Sequence, residues 1–144
     1  MRNVVASALL LLAGCSSTAP SRPANIAQPQ IEVRQAGPMF LSQGSTPVSI
    51  DVQVTNRADV PLVLREVEIS SPDSGQYAIT PARRLFEETI APGETRKVSL
   101  STSAVARNMG APVGEPVHLR AWVRFEANGK SFREVVITQF APLS

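Results

Sequence analysis

Val117-His-Leu-Arg-Ala-Trp122-Val-Arg-Phe125-Glu-Ala-Asn128-Gly129-Lys-Ser-Phe132-Arg-Glu-Val-Val-Ile-Thr-Gln-Phe140 is the stretch that decides the fold. Asn-Gly between two alternating runs is the strongest short signal for a β-hairpin, because a type I′ turn needs positive φ at both central residues. Taking Asn128 and Gly129 as those residues sets the register: Ala127 faces Lys130, Phe125 faces Phe132, Val123 faces Glu134 and Ala121 faces Val136. A strand alternates faces with period two. One face therefore carries Val117, Leu119, Ala121, Val123 and Phe125 with Phe132, Val136 and Phe140. That face is core. The opposite face carries His118, Arg120, Trp122 and Arg124 with Arg133, Val135 and Ile137, a mixed surface rather than a polar one.

Working back along the chain, Val48, Ile50, Val52 and Val54 alternate with Ser49, Asp51, Gln53 and Thr55, a strand with one wet face. Gln30–Arg34 reads as a first strand, Gly37-Pro38 as a break and Gln43-Gly44-Ser45 as a turn. A third strand covers about 61–70. Its parity slips between Leu64 and Val67, which predicts a β-bulge near Arg65-Glu66, since an unabsorbed one-residue slip would turn the apolar set outward. Tyr77 and Ile79 mark a short strand, Phe86 to Ile90 another. Pro92-Gly93-Glu94 is a turn, and 95–102 is a further strand. Ser103 to Met109 loses the alternation and is expected to hold one helical turn. Seven to eight short strands with little helix predict an all-β fold, an antiparallel immunoglobulin-like or fibronectin-III-like β-sandwich.

The N-terminus follows different rules. Arg2 precedes an apolar run from Val4 to Ala13, which is too short for a membrane-spanning helix and fits the h-region of a removable signal peptide. The run ends in Leu12-Ala13-Gly14-Cys15. This segment resembles the signal of bacterial lipoproteins. The resemblance implies a diacylglyceryl group on the Cys15 thiol, cleavage before Cys15 and acylation of the new amino group. The membrane would then be the protein's first partner, through lipid on Cys15. Ser16, not Asp, follows the cysteine, which by the same resemblance favours the outer membrane, facing the periplasm. Residues 15–29 are small, polar and proline-rich and are expected to form a disordered linker. The expected organisation is a signal peptide at 1–14, lipidated Cys15 and linker to 29, and a sandwich domain at 30–144.

Without residues 1–14 the chain has 13 basic and 12 acidic residues. That balance argues against nucleic acid as a partner. Cys15 is the sole cysteine, so its lipidation would leave no thiol for a disulfide or nucleophile. His118 is the sole histidine, and metal sites usually need three or four ligands. No serine lies in a Gly-x-Ser-x-Gly elbow, adjacent Glu87 and Glu88 point to opposite faces of a strand, and no glycine-rich phosphate loop is present. The expectation is a protein that is not an enzyme, with no metal and no cofactor.

The candidate site is the mixed hairpin face: Trp122, the sole tryptophan, with Arg120, Arg124 and Arg133 around it. Tryptophan and arginine dominate interface hot spots and pair through cation–π contact. The face is expected to bind an envelope protein or glycan, unless an N-terminal strand or loop covers Trp122.

Val54-Thr-Asn56-Arg-Ala-Asp-Val-Pro61-Leu-Val-Leu64, together with Ile90-Ala-Pro92-Gly93-Glu94, resembles the late-embryogenesis-abundant type 2 (water-stress) domains. This second resemblance implies a similar fold and a general protective role. Two readings therefore stand: a lipid-anchored, non-catalytic binding or assembly module, and a protective, structural stress-type lipoprotein.

Overall fold

The computed structural model describes residues 20–39, 44–72, 75–108, 110 and 114–141. Cys15, the expected signal segment and parts of the expected turns at 43 and 73–74 lie outside these. The described residues form β1 (Gln30–Gln35), β2 (Ser45–Thr55), β3 (Leu62–Ser70), β4 (Tyr77–Ile79), β5 (Ala82–Ile90), β6 (Thr95–Ala106), β7 (Val117–Ala127) and β8 (Lys130–Phe140). They build two four-stranded antiparallel sheets, ordered β1-β2-β6-β4 and β5-β3-β7-β8. The all-β, two-sheet expectation holds.

The hairpin register is the one deduced from Asn128-Gly129: Phe125 pairs with Phe132 and Trp122 with Val135. Both turn residues have positive φ, 50° and 70°, as the type I′ turn requires. Alternation sends Val117, Leu119, Ala121, Val123 and Phe125 into the interior, where they are buried. The Phe125 and Phe132 rings lie 5.5 Å apart and tilted by 31°, a favourable aromatic geometry. Ile50, Val52 and Val54 of β2 bury the facing side. Each such side chain contributes about 1.5–3 kcal/mol by leaving water.

The β3 bulge lies between Leu64 and Glu66 against both neighbours, β5 and β7. Leu62 and Leu64 before it and Val67 and Ile69 after it are all buried, so the extra residue keeps both halves facing inward.

Three features differ from the sequence reading. The expected helical turn after Ser103 is strand as far as Ala106. Ser103, Ala104 and Val105 pair with β2 on one side, and Ala104 to Ala106 with β4 on the other. Pairing on two edges overrides weak local alternation. The turn expected at Ser45 is likewise strand, and even Pro47 pairs with Ser103. The β1–β2 pairing ends at Ile50, so Pro47 lies where β2 has a neighbour on one side only, which tolerates its missing N–H.

The third difference is the linker. The domain begins before Gln30. Ile26 is buried in the core, its N–H bonds the Pro23 carbonyl at 3.0 Å, and Arg22 donates to the Ile26 carbonyl. Arg22 Nε also meets Glu134 Oε1 on β8 at 2.9 Å. Average composition concealed one apolar residue that finds a site in the core, and one cation that finds a carboxylate.

Asn56 ties one end of the sandwich together and is fully buried. Its side-chain amide donates to the Val60 and Ile90 carbonyls at 2.8 and 2.9 Å, and its side-chain oxygen accepts the Ala58 N–H at 2.8 Å. Its backbone N–H donates to Glu94 and its carbonyl accepts from Gly93. One side chain thus clips the β2–β3 turn to the β5–β6 turn.

Candidate functional site

The outward face of the β5-β3-β7-β8 sheet is the candidate site. The bulge shapes it. By adding a residue at Arg65, it places Glu66 opposite Arg124 on β7 and Leu85 on β5. The Glu66 carboxylate, 4% exposed, is held by Arg83 Nε at 2.6 Å and Arg124 Nη2 at 2.7 Å. The hydrogen bond from Arg83, reinforced by the charges of Arg124, Arg83 and Arg133, holds its pKa below the ordinary glutamate value. Arg83 is shifted up in turn, chiefly by the hydrogen bond to Glu66. Arg65, at the bulge, reaches Glu126 at 3.1 Å and Glu87 at 3.5 Å.

Toward β8 the chemistry changes. Trp122 is half-buried. The Arg133 guanidinium carbon lies 5.3 Å from its ring centroid and that of Arg120 lies 6.0 Å away. These are cation–π distances. Among the described residues, no carboxylate lies within ion-pair distance of either arginine. Of the arginines expected around Trp122, Arg124 is the exception: Glu66 draws its guanidinium away. Beside the stack, Val135 is 47% and Ile137 69% exposed, and Leu85 on β5 is 65% exposed. An open depression of about 410 Å³ runs between Arg65, Leu85, Phe86, Glu87 and Arg124.

The segment expected as a possible cover for Trp122 goes elsewhere. Residues 22–28 pack at Glu134, an inward residue of β8, where Gln28 Nε2 adds a contact at 3.3 Å. Arg120 and Arg133 therefore lie against Trp122, and Arg124 does not. What sequence reasoning missed is Glu66. A glutamate in a strand reads as solvated, and the signal that distinguished this one was the parity slip, which moved it into register with Arg124.

The other chemistry-bearing residues are dispersed. His118 packs beside Gly75, where an added Cβ would lie 3.3 Å from the imidazole, and its carbonyl accepts the Ser71 hydroxyl at 2.9 Å. Glu87 turns to Arg65, while Glu88 pairs in register with Leu64. Among the described residues, no three His, Cys, Asp or Glu side chains gather as metal ligands.

No family model matches the chain, and no curated protein matches it. Solved structures do share the architecture. Northeast Structural Genomics Consortium target SoR45 superposes with a TM-score of 0.56 at 10% identity, over 80% of this chain and 85% of that one. An ApaA protein from Bordetella pertussis superposes with a TM-score of 0.52 at 17% identity, over 83% of this chain and 96% of that one. At these identities the likeness is one of fold: the chain is similar to both in its all-β, two-sheet architecture.

Proposed function

We propose that this protein is a lipid-anchored envelope lipoprotein whose β-sandwich serves as a non-catalytic binding or assembly module. The observation that carries the reading is the outward face around Trp122: a half-buried tryptophan, two arginines without carboxylate partners among the described residues and two exposed aliphatic residues on one edge of a sheet. Single exposed apolar residues are ordinary, but their grouping with tryptophan and arginine has the composition of a contact surface. Anchoring at the outer membrane, facing the periplasm, rests on Leu12-Ala13-Gly14-Cys15 and Ser16. Two or more acyl chains would make it stable.

The finer fold reading is immunoglobulin-like. It is supported by the order β1-β2-β6 in one sheet and β3-β7-β8 in the other, which follows strands A-B-E and C-F-G of that topology.

Two measurements test the proposal. Cys15→Ala should abolish acylation and release the protein from the membrane fraction; retention with unchanged mass would refute the anchor. Trp122→Ala should weaken capture of the partner while changing stability by about 1 kcal/mol or less. A large loss of stability with unchanged crosslinks in cells would assign Trp122 to packing.

The protective, stress-type reading is favoured by one observation, the buried Asn56 of the Val54-Thr55-Asn56 stretch that carries the late-embryogenesis-abundant resemblance. Crosslinking in intact cells separates the two readings. One dominant adduct supports the binding module, and a diffuse spectrum the protective role.

A further inference from the structure

We infer that the Arg120–Trp122–Arg133 face, with Val135 and Ile137, lies against the anionic headgroup surface of the membrane that holds the protein. The inference rests on the lipid anchor proposed at Cys15 and names the partner of the face described above.

Three observations converge. The first is charge. Across the sheet the cations divide into two groups. Arg83 and Arg124 share the Glu66 carboxylate, and Arg65 is paired with Glu126 and Glu87. Arg120 and Arg133, on the two strands farthest from β5, have no carboxylate at ion-pair distance among the described residues. Glu68 lies in register between Trp122 on β7 and Arg83 on β5, and its charge adds to the upward shift of Arg83. Such guanidinium groups fit phosphodiesters, which they can grip with two parallel hydrogen bonds.

The second is the apolar complement. Val135 and Ile137 flank the stack on β8 and are exposed. A tryptophan between arginines, bordered by aliphatic side chains, matches the interfacial zone of a bilayer, where the ring sits among headgroups and the arginine stems lie along apolar surface.

The third is where the chain leaves the domain. Arg22 is fixed to Glu134 on β8, and Arg133 and Val135, the chain neighbours of Glu134, point to the other face of the same strand. Arg22 lies seven positions after Cys15. Whatever path the intervening residues take, an extended chain of that length reaches about 25 Å at most. The acyl chains are thus held close to the edge strand that carries the face. Such a tether makes the second contact intramolecular, so a surface of a few side chains suffices.

Trp122 is the sole tryptophan, so its fluorescence reports on this face alone. The test uses the full chain, processed in a bacterial host and reconstituted into phosphatidylethanolamine–phosphatidylglycerol vesicles that contain bromolipid. Trp122 emission should be quenched by the bromolipid and shielded from acrylamide. Arg120→Gln with Arg133→Gln, or Ile137→Asp alone, should abolish the quenching while the melting temperature and vesicle retention stay unchanged. Lys97→Gln, on the opposite sheet, should leave the quenching intact. A Trp122 that is unquenched and open to acrylamide in the native protein overturns the inference. So does a photo-crosslinker at position 137 that yields a protein adduct in cells instead of a lipid adduct. Mass spectrometry of the same sample keeps the two proposals apart. Acylated Cys15 with unquenched Trp122 sinks this inference alone, whereas quenched Trp122 on a chain without acyl groups sinks the anchor and leaves the face standing.

Discussion

The two outward faces of the sandwich obey the same alternation and carry opposite chemistry. On the β1-β2-β6-β4 sheet, β2 turns out Ser49, Asp51, Gln53 and Thr55, and β6 answers with short hydroxyls. Thr55 bonds Thr95 at 2.8 Å and Ser99 donates to Asp51 at 2.6 Å. On the β5-β3-β7-β8 sheet, β7 turns out Arg120, Trp122 and Arg124, and β8 answers with Arg133, Val135 and Ile137. The first face satisfies itself with short hydroxyls and local ion pairs, Lys97 with Asp51 and Arg34 with Glu32. The second spends its long side chains on stacking and on one buried carboxylate, and leaves two arginines without an anion at ion-pair distance among the described residues. Strand alternation decides which residues face outward. It is the residue types that make one face a solvated wall and the other a contact surface.

The comparison can be broken most severely through what both faces share. Phe125→Ala should cost about 3–5 kcal/mol and lower the urea midpoint of the whole domain, since the ring it removes packs on Phe132 between the sheets. Asn56→Ala should cost about 3 kcal/mol, because buried amide and carbonyl groups of two turns lose their partners together. Hydrogen exchange should then speed up at Ala58 and around the Gly93 turn before it does so in β7.

The next effect separates the faces. Glu66→Ala should cost about 2 kcal/mol, less than a fully buried pair, because Arg83 and Arg124 can regain water. Glu66 also gives the arginine-bearing face its own acid sensitivity. Its folded pKa is lowered, so its stabilising contribution is complete above the ordinary glutamate value and is lost as pH falls through the folded one. Denaturant midpoints followed from neutral pH to about pH 3 should decline less steeply in Glu66→Gln than in the native protein. An identical slope would show that Glu66 is not the source.

The smallest effect belongs to the hydroxyl-rich face. Asp51 is held below its ordinary pKa chiefly by the Ser99 hydroxyl, with Lys97 adding to the effect. It remains close to water, where such pairs contribute little. Asp51→Asn should change stability by less than about 1 kcal/mol. A cost matching that of Glu66→Ala would erase the energetic distinction between the faces.

Local rules account for what the sequence determined by itself. Asn128-Gly129 needs positive φ at two successive residues, and from that alone came the hairpin register, the inward set from Val117 to Phe140 and the placement of Trp122 opposite Val135. The parity slip between Leu64 and Val67 located the bulge, because both halves of β3 had to face the same core. Only the tertiary structure decided matters that depend on a distant partner. Ser103–Ala106 became strand because β2 and β4 flank it, Ile26 and Arg22 left the expected linker for the core and for Glu134, and Glu66 captured Arg124. In each case the partner lies many residues away in sequence, and the contact forms only after both sheets have brought it within reach.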